Sequence, residues 1–439
     1  MRTANERMDA GRAARQQVKR SAHAAWDPKR RTEDPVDVIV ASNRERVSKL
    51  VPIKMARMAT SPFGFFRGNV PLMALDLSTV ARTSIVTQLC GDAHVRNLGA
   101  FTAPDGRLAF DLNDFDETIP GPWEWDVKRL ATSLVLAGRE AGQSEAACRD
   151  AVQTFIGAYR IQMREFTRMP AVEIARYHIH HAFDRGPGAA VLSKARRATP
   201  LHSLKTLTEE REGQRVFKEL RPILSRVSAE TASVVRQALA RYRRGLAPWR
   251  RHIFDFYELA DVHFKVVGTG SVGTRDYVVL CHGHGPSDPL FLQVKQALPS
   301  AYARYLNASA RTGNQGRRVA EGQQRMQTQS DLLLGWTAFG GHDYLVRQLA
   351  DHKGGIEDRD LAGGGLRAYA RMCGLVLAKG HARSGDAWLL AGYLGVGPSF
   401  DQAIERFAVA YADQVTRDHG TFKRAIRRGT IKASPDPYL

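Results

Sequence analysis

The residues best suited to chemistry lie in two short clusters near the start of the chain. Residues 90–97 contain Asp92 and Asn97 in a D-x-x-x-x-N spacing, and residues 110–117 contain Asp114. In phosphoryl transfer by kinases, one aspartate accepts a hydroxyl proton, while an asparagine and a second aspartate hold Mg²⁺. Mg²⁺ prefers such hard oxygen ligands. We therefore expect Asp92 to act on an acceptor, and Asn97 and Asp114 to bind the metal.

Other side chains in the same clusters leave alternatives open. Asp111, Asp116 and Glu117 are further carboxylates that could share the metal-binding role. His94 could orient its loop by hydrogen bonding, whereas a zinc role is not favoured because no cysteine or histidine follows at ligand spacing. An acidic turn with a capping aspartate is the simpler structural interpretation of both clusters.

A glycine-rich segment far downstream has the form G-x-G-x-x-G. It consists of Gly268, Gly270 and Gly273, with Ser271 between them. Alone, this motif also suits a dinucleotide-binding turn from a strand into a helix. Here residues 277–280 are strand-like, so we predict a loop between two antiparallel strands whose backbone amides approach nucleotide phosphates. A plain hairpin turn is the alternative.

Two charged residues follow the glycine segment at positions that suit phosphate binding. Lys295 ends an apolar, strand-like run and needs a partner, because burying an unpaired ammonium is costly. Glu321, within a helical pattern over residues 318–334, is the candidate partner, and a lysine–glutamate pair of this kind holds the α- and β-phosphates in kinases. Arg67 could also reach an anion, although a structural salt bridge is the more common role.

Composition sets the class of protein and its partners. The 439 residues are 43% hydrophobic, which suits two or three domains or one large bilobal body. The net charge of +19 favours anionic partners, with a basic solvated surface as the alternative. The four cysteines form no C-x-x-C pair, so we expect no zinc site, no disulfide framework and a cytoplasmic location. No apolar run reaches the roughly 18 residues of a membrane span.

Hydrophobic periodicity predicts the elements that must position these residues. A helix is expected over residues 125–141, with Asp126 as its capping residue, and a strand over residues 344–349. The predicted class is α+β, with a β-rich nucleotide lobe and a large helical lobe. The expected divisions are a mobile basic tail (1–34), a helical lobe with the catalytic and metal-binding residues (35–255), the nucleotide lobe (256–355) and C-terminal helices that complete the helical lobe (356–439).

The motifs resemble those of known families. Residues 91–97 and 114–116 are similar to the H-G-D-x-x-x-x-N and I-D-[FW] motifs of the aminoglycoside phosphotransferase and choline kinase-like families, with Cys90 in place of the first histidine. From residue 50 to residue 386 the chain also resembles the domain-of-unknown-function family numbered 2252. These resemblances imply a protein-kinase-like fold and favour a small-molecule acceptor, without naming it.

The order of the motifs differs from that of ordinary kinases, in which the glycine loop and lysine come first. Here they follow Asp114, so we predict a circularly permuted kinase-like fold. A rival assignment takes residues 381–386 as the catalytic loop, which restores the usual order. No metal-binding aspartate motif follows that segment, so Asp386 would instead be a capping or supporting residue.

These observations predict an ATP- and Mg²⁺-dependent phosphotransferase. Transfer of AMP, or nucleotide binding without turnover, would use the same site. A basic nucleic-acid-binding protein is a further alternative from another class, although no basic-aromatic stacking motif stands out. The shared-site hypothesis requires Asp92, Asn97, Asp114 and Lys295 to lie around one cleft that faces Gly270.

Overall fold

The structure is a computed structural model that describes residues 3–179, 186–266, 268–285, 287–306, 313–349 and 354–434. Its α-helices are α1 (Ala4–Gln17), α2 (Pro35–Ala41), α3 (Val51–Ala59), α4 (Pro62–Gly68), α5 (Val70–Ser78), α6 (Glu124–Glu140), α7 (Glu145–Phe166), α8 (Ala171–Ala175), α9 (Gly186–Arg197), α10 (Pro200–Leu207), α11 (Ala229–Gly245), α12 (Pro248–Phe254), α13 (Gln315–Met326), α14 (Gly365–Ser384), α15 (Ala387–Leu394) and α16 (Ser399–Arg427). Its strands are β1 (Val86–Leu89), β2 (Leu98–Thr102), β3 (Leu108–Leu112), β4 (Ile119–Pro122), β5 (Thr208–Arg211), β6 (Gln214–Phe217), β7 (Leu224–Arg226), β8 (Glu258–Lys265), β9 (Asp276–His282), β10 (Pro289–Gln296), β11 (Gly335–Phe339), β12 (His342–Gln348) and β13 (Gly354–Gly355). The predicted α+β class is confirmed.

An antiparallel six-stranded sheet has the order β11-β12-β10-β9-β8-β7. Strands β8, β9 and β10 form a meander, helix α13 follows, and β12 then pairs with β10 so that β11 lies at the edge. Every residue of β10 is buried, because both faces of the sheet are covered. Leu292 and Val294 pack with Leu239 of α11 on one face. The opposite face carries Phe291 and, further along, the polar Gln293 and Lys295.

The larger apolar core lies in the helical part of the molecule, where α6, α7, α14 and α16 pack together. Fully buried Trp123, Trp125 and Tyr159 are among its largest side chains. Two small sheets border this core, one formed by β1 and β4 and the other ordered β13-β2-β3. The β2–β3 hairpin therefore connects the segment of Asp92 and Asn97 to the segment of Asp114.

Several predicted elements agree with the structure. The glycine segment joins antiparallel strands β8 and β9, as expected. Strand β12 lies where a strand was predicted over residues 344–349, and α6 matches the helix predicted over 125–141. Helix α13 begins earlier than predicted, because the side chain of Asn314 caps it, and ends at Met326, because Gln327 is extended.

The boundary between the helical lobe and the β-rich lobe was predicted at residue 255, and the structure does not place it there. Helices α11 and α12 pack on the six-stranded sheet through residues such as Val235, Leu239 and Phe254, and β7 joins that sheet. The apolar period of α11 predicts a helix with one buried face, but it does not indicate which layer that face covers.

The N-terminal segment was predicted to be a mobile tail, but in the structure it forms a helix that packs against the rest of the protein. Residues 4–17 form helix α1, which begins with a capping box between Thr3 and Glu6. The backbone at Gly11 lies so close to α15 that a Cβ there would overlap the carbonyl oxygen of Leu389. Arg15 donates through Nε to the carbonyl oxygen of Tyr393 over 2.8 Å. The polar composition of the segment concealed these contacts, because their partners lie near the other end of the chain.

None of the helices in the described ranges is both long enough and apolar enough to cross a bilayer.

Candidate functional site

One cavity of about 520 Å³ lies between the glycine segment, the two acidic clusters and the N-terminal helices α2 to α5. Its walls include most of the residues predicted to form the site: Asp92, Asn97, Asp114, Gly268, Gly270 and Ser271. The structure therefore brings together groups from distant parts of the sequence. Lys295 adjoins this cavity through the carboxylates of Asp114 and Asp116.

The backbone that precedes Asp92 is fixed by a buried carboxylate. Asp126 accepts hydrogen bonds from the N–H groups of Cys90, at 2.6 Å, and Gly91, at 2.9 Å. Gly91 has a φ of +83°, and a Cβ there would overlap the carbonyl of Glu117, so glycine is required. The predicted capping role of Asp126 is wrong: it lies inside α6, where its side chain ties the helix to the loop.

Asp92 is held in one orientation by Arg129 of α6. Its Oδ1 accepts from Arg129 Nε at 2.8 Å and lies 2.6 Å from Nη2. Burial raises the pKa of Asp92, and the charge of Arg129 opposes that rise. The other oxygen, Oδ2, lies 3.7 Å from Nε2 of His94. Burial also lowers the pKa of His94 well below its usual value, which favours a neutral ring.

Asn97 joins the two clusters. Its Nδ2 donates to the carbonyl oxygens of Asp92, at 2.8 Å, and Asp114, at 3.3 Å. In the described residues no donor lies on its Oδ1, so that atom is the one left to bind a cation at the cavity wall.

Lys295 forms an electrostatic link across the site. Its Nζ lies 2.5 Å from Oδ2 of Asp116 and 3.7 Å from Oδ2 of Asp114. Burial would raise the pKa of Asp114, but Lys295 and Arg347 lower it to about 2. Burial and the charge of Asp114 raise the pKa of Asp116. The Asp114 carboxylate is therefore ionised throughout the neutral range.

The predicted partnership of Lys295 with Glu321 is not present in the structure. Glu321 lies on α13, as expected, but accepts from Nε of Arg317 at 2.6 Å on the same helix. The neighbouring Arg318 points inward instead, donating to the carbonyls of Asp116, at 2.7 Å, and Thr118. The spacing of residues along the sequence could not show that Arg318, and not Glu321, points toward the acidic cluster.

The glycine segment rests against the N-terminal helices. The carbonyl of Gly273, where φ is +88°, accepts from the N–H of Val47 at 2.7 Å. Arg46 donates to the carbonyl of Val272 at 2.7 Å, and a Cβ at Gly270 would lie 3.2 Å from the carbonyl oxygen of Arg67. Ser271 Oγ reaches Oδ2 of Asp116 at 3.4 Å. The loop therefore closes one side of the cavity.

The donor set suits a cation that takes part of its coordination from another molecule. In the part of the chain that the structure describes, no three His, Cys, Asp or Glu side chains are grouped closely enough to hold an ion alone. Asn97 and Asp114, with Asp116 beside them, offer hard oxygens on one wall. Mg²⁺ is commonly held by one or two carboxylates together with phosphate oxygens and water.

The rival catalytic loop at residues 381–386 has a structural role. His381 is fully buried, with Nδ1 2.8 Å from Tyr159 Oη and Nε2 3.4 Å from Asp126 Oδ2. Asp386 caps α15 by accepting from the N–H groups of Trp388 and Leu389. Neither His381 nor Asp386 lines the cavity.

Sequence reasoning missed three cations around the site: Arg46, Lys54 and Arg129. For Arg67 it offered a contact with an anion and, as the more common role, a structural salt bridge; Arg67 lines the cavity, and its Nε has no hydrogen-bond partner in the described residues. Arginines occur throughout the sequence, so residue type gave no signal. The one available hint was the crowding of aromatic residues, proline and glycine around Arg67.

Fold and site together define an α+β protein with one cleft between a six-stranded sheet and a helical body. The family described as uncharacterized protein conserved in bacteria (DUF2252) matches residues 46–425, and the chain belongs to this family. Comparison with curated proteins and with solved structures gave no match.

Proposed function

We propose that this protein is an ATP- and Mg²⁺-dependent phosphotransferase whose kinase-like elements occur in permuted order. The observation that carries the proposal is the position of Lys295, 3.7 Å from Asp114 and 2.5 Å from Asp116. The nucleotide-binding and metal-binding halves of the expected site are far apart in sequence, yet they meet at this contact. If the glycine segment were a plain hairpin turn and the acidic clusters were an unrelated turn, nothing would require the two to lie next to each other.

The topology around the site supports the same proposal. In kinases the phosphate-binding lysine lies on the third strand, after the glycine loop and before a helix. Lys295 lies on β10, the third strand of the meander, after the loop between β8 and β9 and before α13. Likewise, a β-hairpin separates Asn97 from Asp114. Each half of the chain keeps a kinase-like internal order, and only the order of the halves differs.

The residues can be assigned separate tasks. Bound Mg²⁺–ATP would supply the phosphoryl group and the countercharge for its oxygens. Asn97 Oδ1 and the Asp114 carboxylate would hold the metal, and the N–H groups of residues 268–273 would cover the phosphates. Asp92, oriented by Arg129, would accept the proton of the acceptor hydroxyl as its oxygen bonds to the phosphoryl group and ADP leaves.

Lys295 must change partners during binding. Its ammonium already contacts two carboxylates, so a phosphate oxygen would replace Asp116 and leave Asp114 to the metal. Asp116 has a hydroxyl donor nearby, Ser271, to which it can remain bonded. The exchange keeps Lys295 paired throughout, which matters because its side chain is only 3% exposed.

Metal-dependent ATP binding tests the proposal directly. Isothermal titration of the full chain should show ATP binding that requires Mg²⁺, and Asp114→Asn should weaken it at least tenfold. Asp105→Asn, which removes a carboxylate at an exposed position of the β2–β3 hairpin, is the matched control and should have no effect. Absence of Mg²⁺-dependent ATP binding by the unmodified protein would refute the proposal.

Mass spectrometry after incubation with ATP and candidate acceptors separates the reactions that this site could support. Phosphoryl transfer adds a phosphate group to the acceptor, and nucleotidyl transfer adds AMP. Binding without any product would indicate a non-catalytic nucleotide-binding protein. Binding of DNA or RNA that survives both Asp114→Asn and Lys295→Met would favour the nucleic-acid alternative.

A further inference from the structure

Three cationic side chains from the N-terminal part of the chain line the cavity, and none of them forms an ion pair among the described residues. They are Arg46, Lys54 and Arg67, which we call the cationic wall. Their contacts within the described residues are with neutral groups. Arg46 donates to the carbonyl of Val272 at 2.7 Å, Lys54 donates to the amide oxygen of Asn43 at 3.1 Å, and Arg67 lies 5.8 Å from the centre of the Phe63 ring.

Three other cations around the site have anionic partners, which sets the cationic wall apart from them. Arg96 pairs with Asp358, Arg304 pairs with Glu33 at 2.5 Å, and Lys295 has its two aspartates. A cation that faces water needs no partner, but the members of the wall are withdrawn from water. Lys54 is only 1% exposed, and the Nε atoms of Arg46 and Arg67 are buried without a hydrogen-bond acceptor in the described residues.

Such an arrangement is costly for the protein by itself. Burying a charge without a counter-ion opposes folding, and placing like charges together adds repulsion. Burial, followed by the charge of Arg46, lowers the pKa of Lys54 well below its usual value, and the charge of Glu117 opposes that fall only in part. Burial, followed by Arg96, lowers the pKa of Arg67. A bound anion would relieve both costs, because it would supply the missing charge and hydrogen-bond acceptors.

The position of the wall points to the acceptor side of the cavity. Arg67 is close enough to Asp92 and His94 for its charge to influence the pKa of both. In the proposed function the phosphates of a nucleotide have another set of partners, namely the metal ion, Lys295 and the amides of the glycine segment. Arg67 lies on α4, beside the carboxylate that would receive the acceptor proton, whereas Arg46 also contacts the glycine segment.

We infer that the cationic wall binds a phosphate or carboxylate group of the acceptor, so that the substrate is an anionic small molecule with a hydroxyl group placed at Asp92. This inference rests on the proposed phosphotransferase function. Arginine suits the task because its planar guanidinium binds such oxyanions with two parallel hydrogen bonds. An enclosed ammonium such as that of Lys54 adds a point charge at the same group.

Binding of inorganic phosphate to the full chain, without nucleotide, tests the wall itself. Phosphate should raise the melting temperature of the unmodified protein, because a ligand that binds only the folded state stabilises it. Titration calorimetry should show at least tenfold weaker binding for Arg67→Gln and for Lys54→Gln. Lys49→Gln removes an exposed charge from the same segment outside the cavity and should bind phosphate normally. Equal binding by all variants, or equal stabilisation by chloride at the same ionic strength, overturns the inference.

The variants also report on what the charges do in the absence of ligand. Because Arg67 and Lys54 form no ion pair with any residue in the described ranges, removing either charge should leave the ligand-free melting temperature unchanged or raise it. A fall of more than a few degrees in both variants would mean that the charges serve the fold, and would overturn the inference.

A third measurement separates the acceptor from the nucleotide as the source of the anion. With a non-hydrolysable ATP analogue and Mg²⁺ present, phosphate should bind the unmodified protein with an affinity within about threefold of its value alone. Competition between the two would show that the wall holds the nucleotide's own phosphates, which overturns the inference and leaves the phosphotransferase proposal intact. Conversely, phosphate binding without any Mg²⁺–ATP binding would remove the phosphotransferase proposal, and the acceptor assignment with it, while retaining the wall as an anion site.

Discussion

At the scale of single residues, the pairing of Lys295 decides how the site is interpreted. The sequence suggested a glutamate on the following helix, but the partners are two aspartates from the opposite side of the cleft. We expect Lys295→Met to weaken Mg²⁺–ATP binding at least tenfold. Glu321→Gln should change it less than about twofold, because Glu321 forms only a partly exposed pair with Arg317. Equal losses in the two variants, measured by titration calorimetry, would mean that α13 rotates to bring Glu321 to Lys295 when nucleotide binds.

The contact between Asp92 and Arg129 gives a second prediction. Asp92→Asn should lower turnover more than about 100-fold while Mg²⁺–ATP affinity stays the same, because Asp92 acts on the acceptor proton. The variant should also lose about 3 kcal/mol of unfolding free energy, since fully buried Arg129 keeps its charge and loses its counter-ion. Steady-state kinetics and urea unfolding check the two parts separately. Full turnover in a folded Asp92→Asn protein would remove this residue from the reaction.

The residues that sequence could identify at this scale are those with fixed spacing along the chain. Asp92 and Asn97 lie in one turn, and Asp114 follows after a single hairpin, so their proximity is a local property. Arg129 and Lys54 reach the site from helices whose orientation depends on the packing of the whole helical body. No local pattern marks one arginine of a basic sequence as the partner of Asp92.

At the scale of elements, the sheet places a third carboxylate beside Lys295. Asp276 of β9 is the register partner of Lys295 and is buried; its Oδ2 accepts from Gln293 Nε2 at 2.6 Å, while Oδ1 has no partner in the described residues. Burial raises the pKa of Asp276 to about 7 from a usual 3.8. Between pH 3.8 and about pH 7, the folded protein therefore keeps a proton on Asp276 that the unfolded chain has already lost. Stability from this group is present at low pH and is lost as pH rises toward 7.

Asp276→Asn should abolish this loss of stability at higher pH, because asparagine has the same shape as aspartate without the charge. We expect the variant to be more stable than the unmodified protein by about 1–3 kcal/mol at pH 8, with little difference at pH 4.5. Urea unfolding of both proteins at pH 8 and at pH 4.5 measures this difference in stability. Glu210→Gln, at an exposed position of β5, is the control and should follow the unmodified protein at both values. A lower stability of Asp276→Asn at pH 8 would mean that the carboxylate is ionised and usefully paired with Lys295.

Helices and strands were most predictable where the apolar pattern of the sequence matches the residues that are buried in the structure. The runs that became β9 and β10 are rich in apolar and β-branched residues between turn residues, and both form strands as expected. The position of α11 against the sheet could not be predicted, because an amphipathic helix has the same pattern whichever layer it covers.

At the scale of the whole molecule, the N-terminal segment is a structural part of the helical body. Arg31 Nη2 lies 2.6 Å from Asp76 and 2.9 Å from Asp418, and both carboxylates are buried. Arg31→Met should lower the free energy of unfolding by about 3–5 kcal/mol, because two buried carboxylates lose their shared cation. Arg30→Met, at the exposed neighbouring position, should cost less than about 0.5 kcal/mol. Indistinguishable unfolding curves for these two variants would restore the view of this segment as a loosely attached tail.

Buried polar contacts between distant parts of the chain also constrain how the protein can be made. Arg31 and Asp418 are 387 residues apart, Asp111 and Lys379 are 268 apart, and Asp126 and His381 are 255 apart. A ribosome releases the earlier member of each pair long before the later one exists. During that interval the strands that flank Asp92 and Asp114 have apolar faces, and the two carboxylates have no place to be buried. Contacts of such long sequence separation form slowly, and the waiting chain exposes surface that aggregates. We therefore expect biosynthesis of this protein to depend on chaperones that hold its first half until α14 and α16 have been translated.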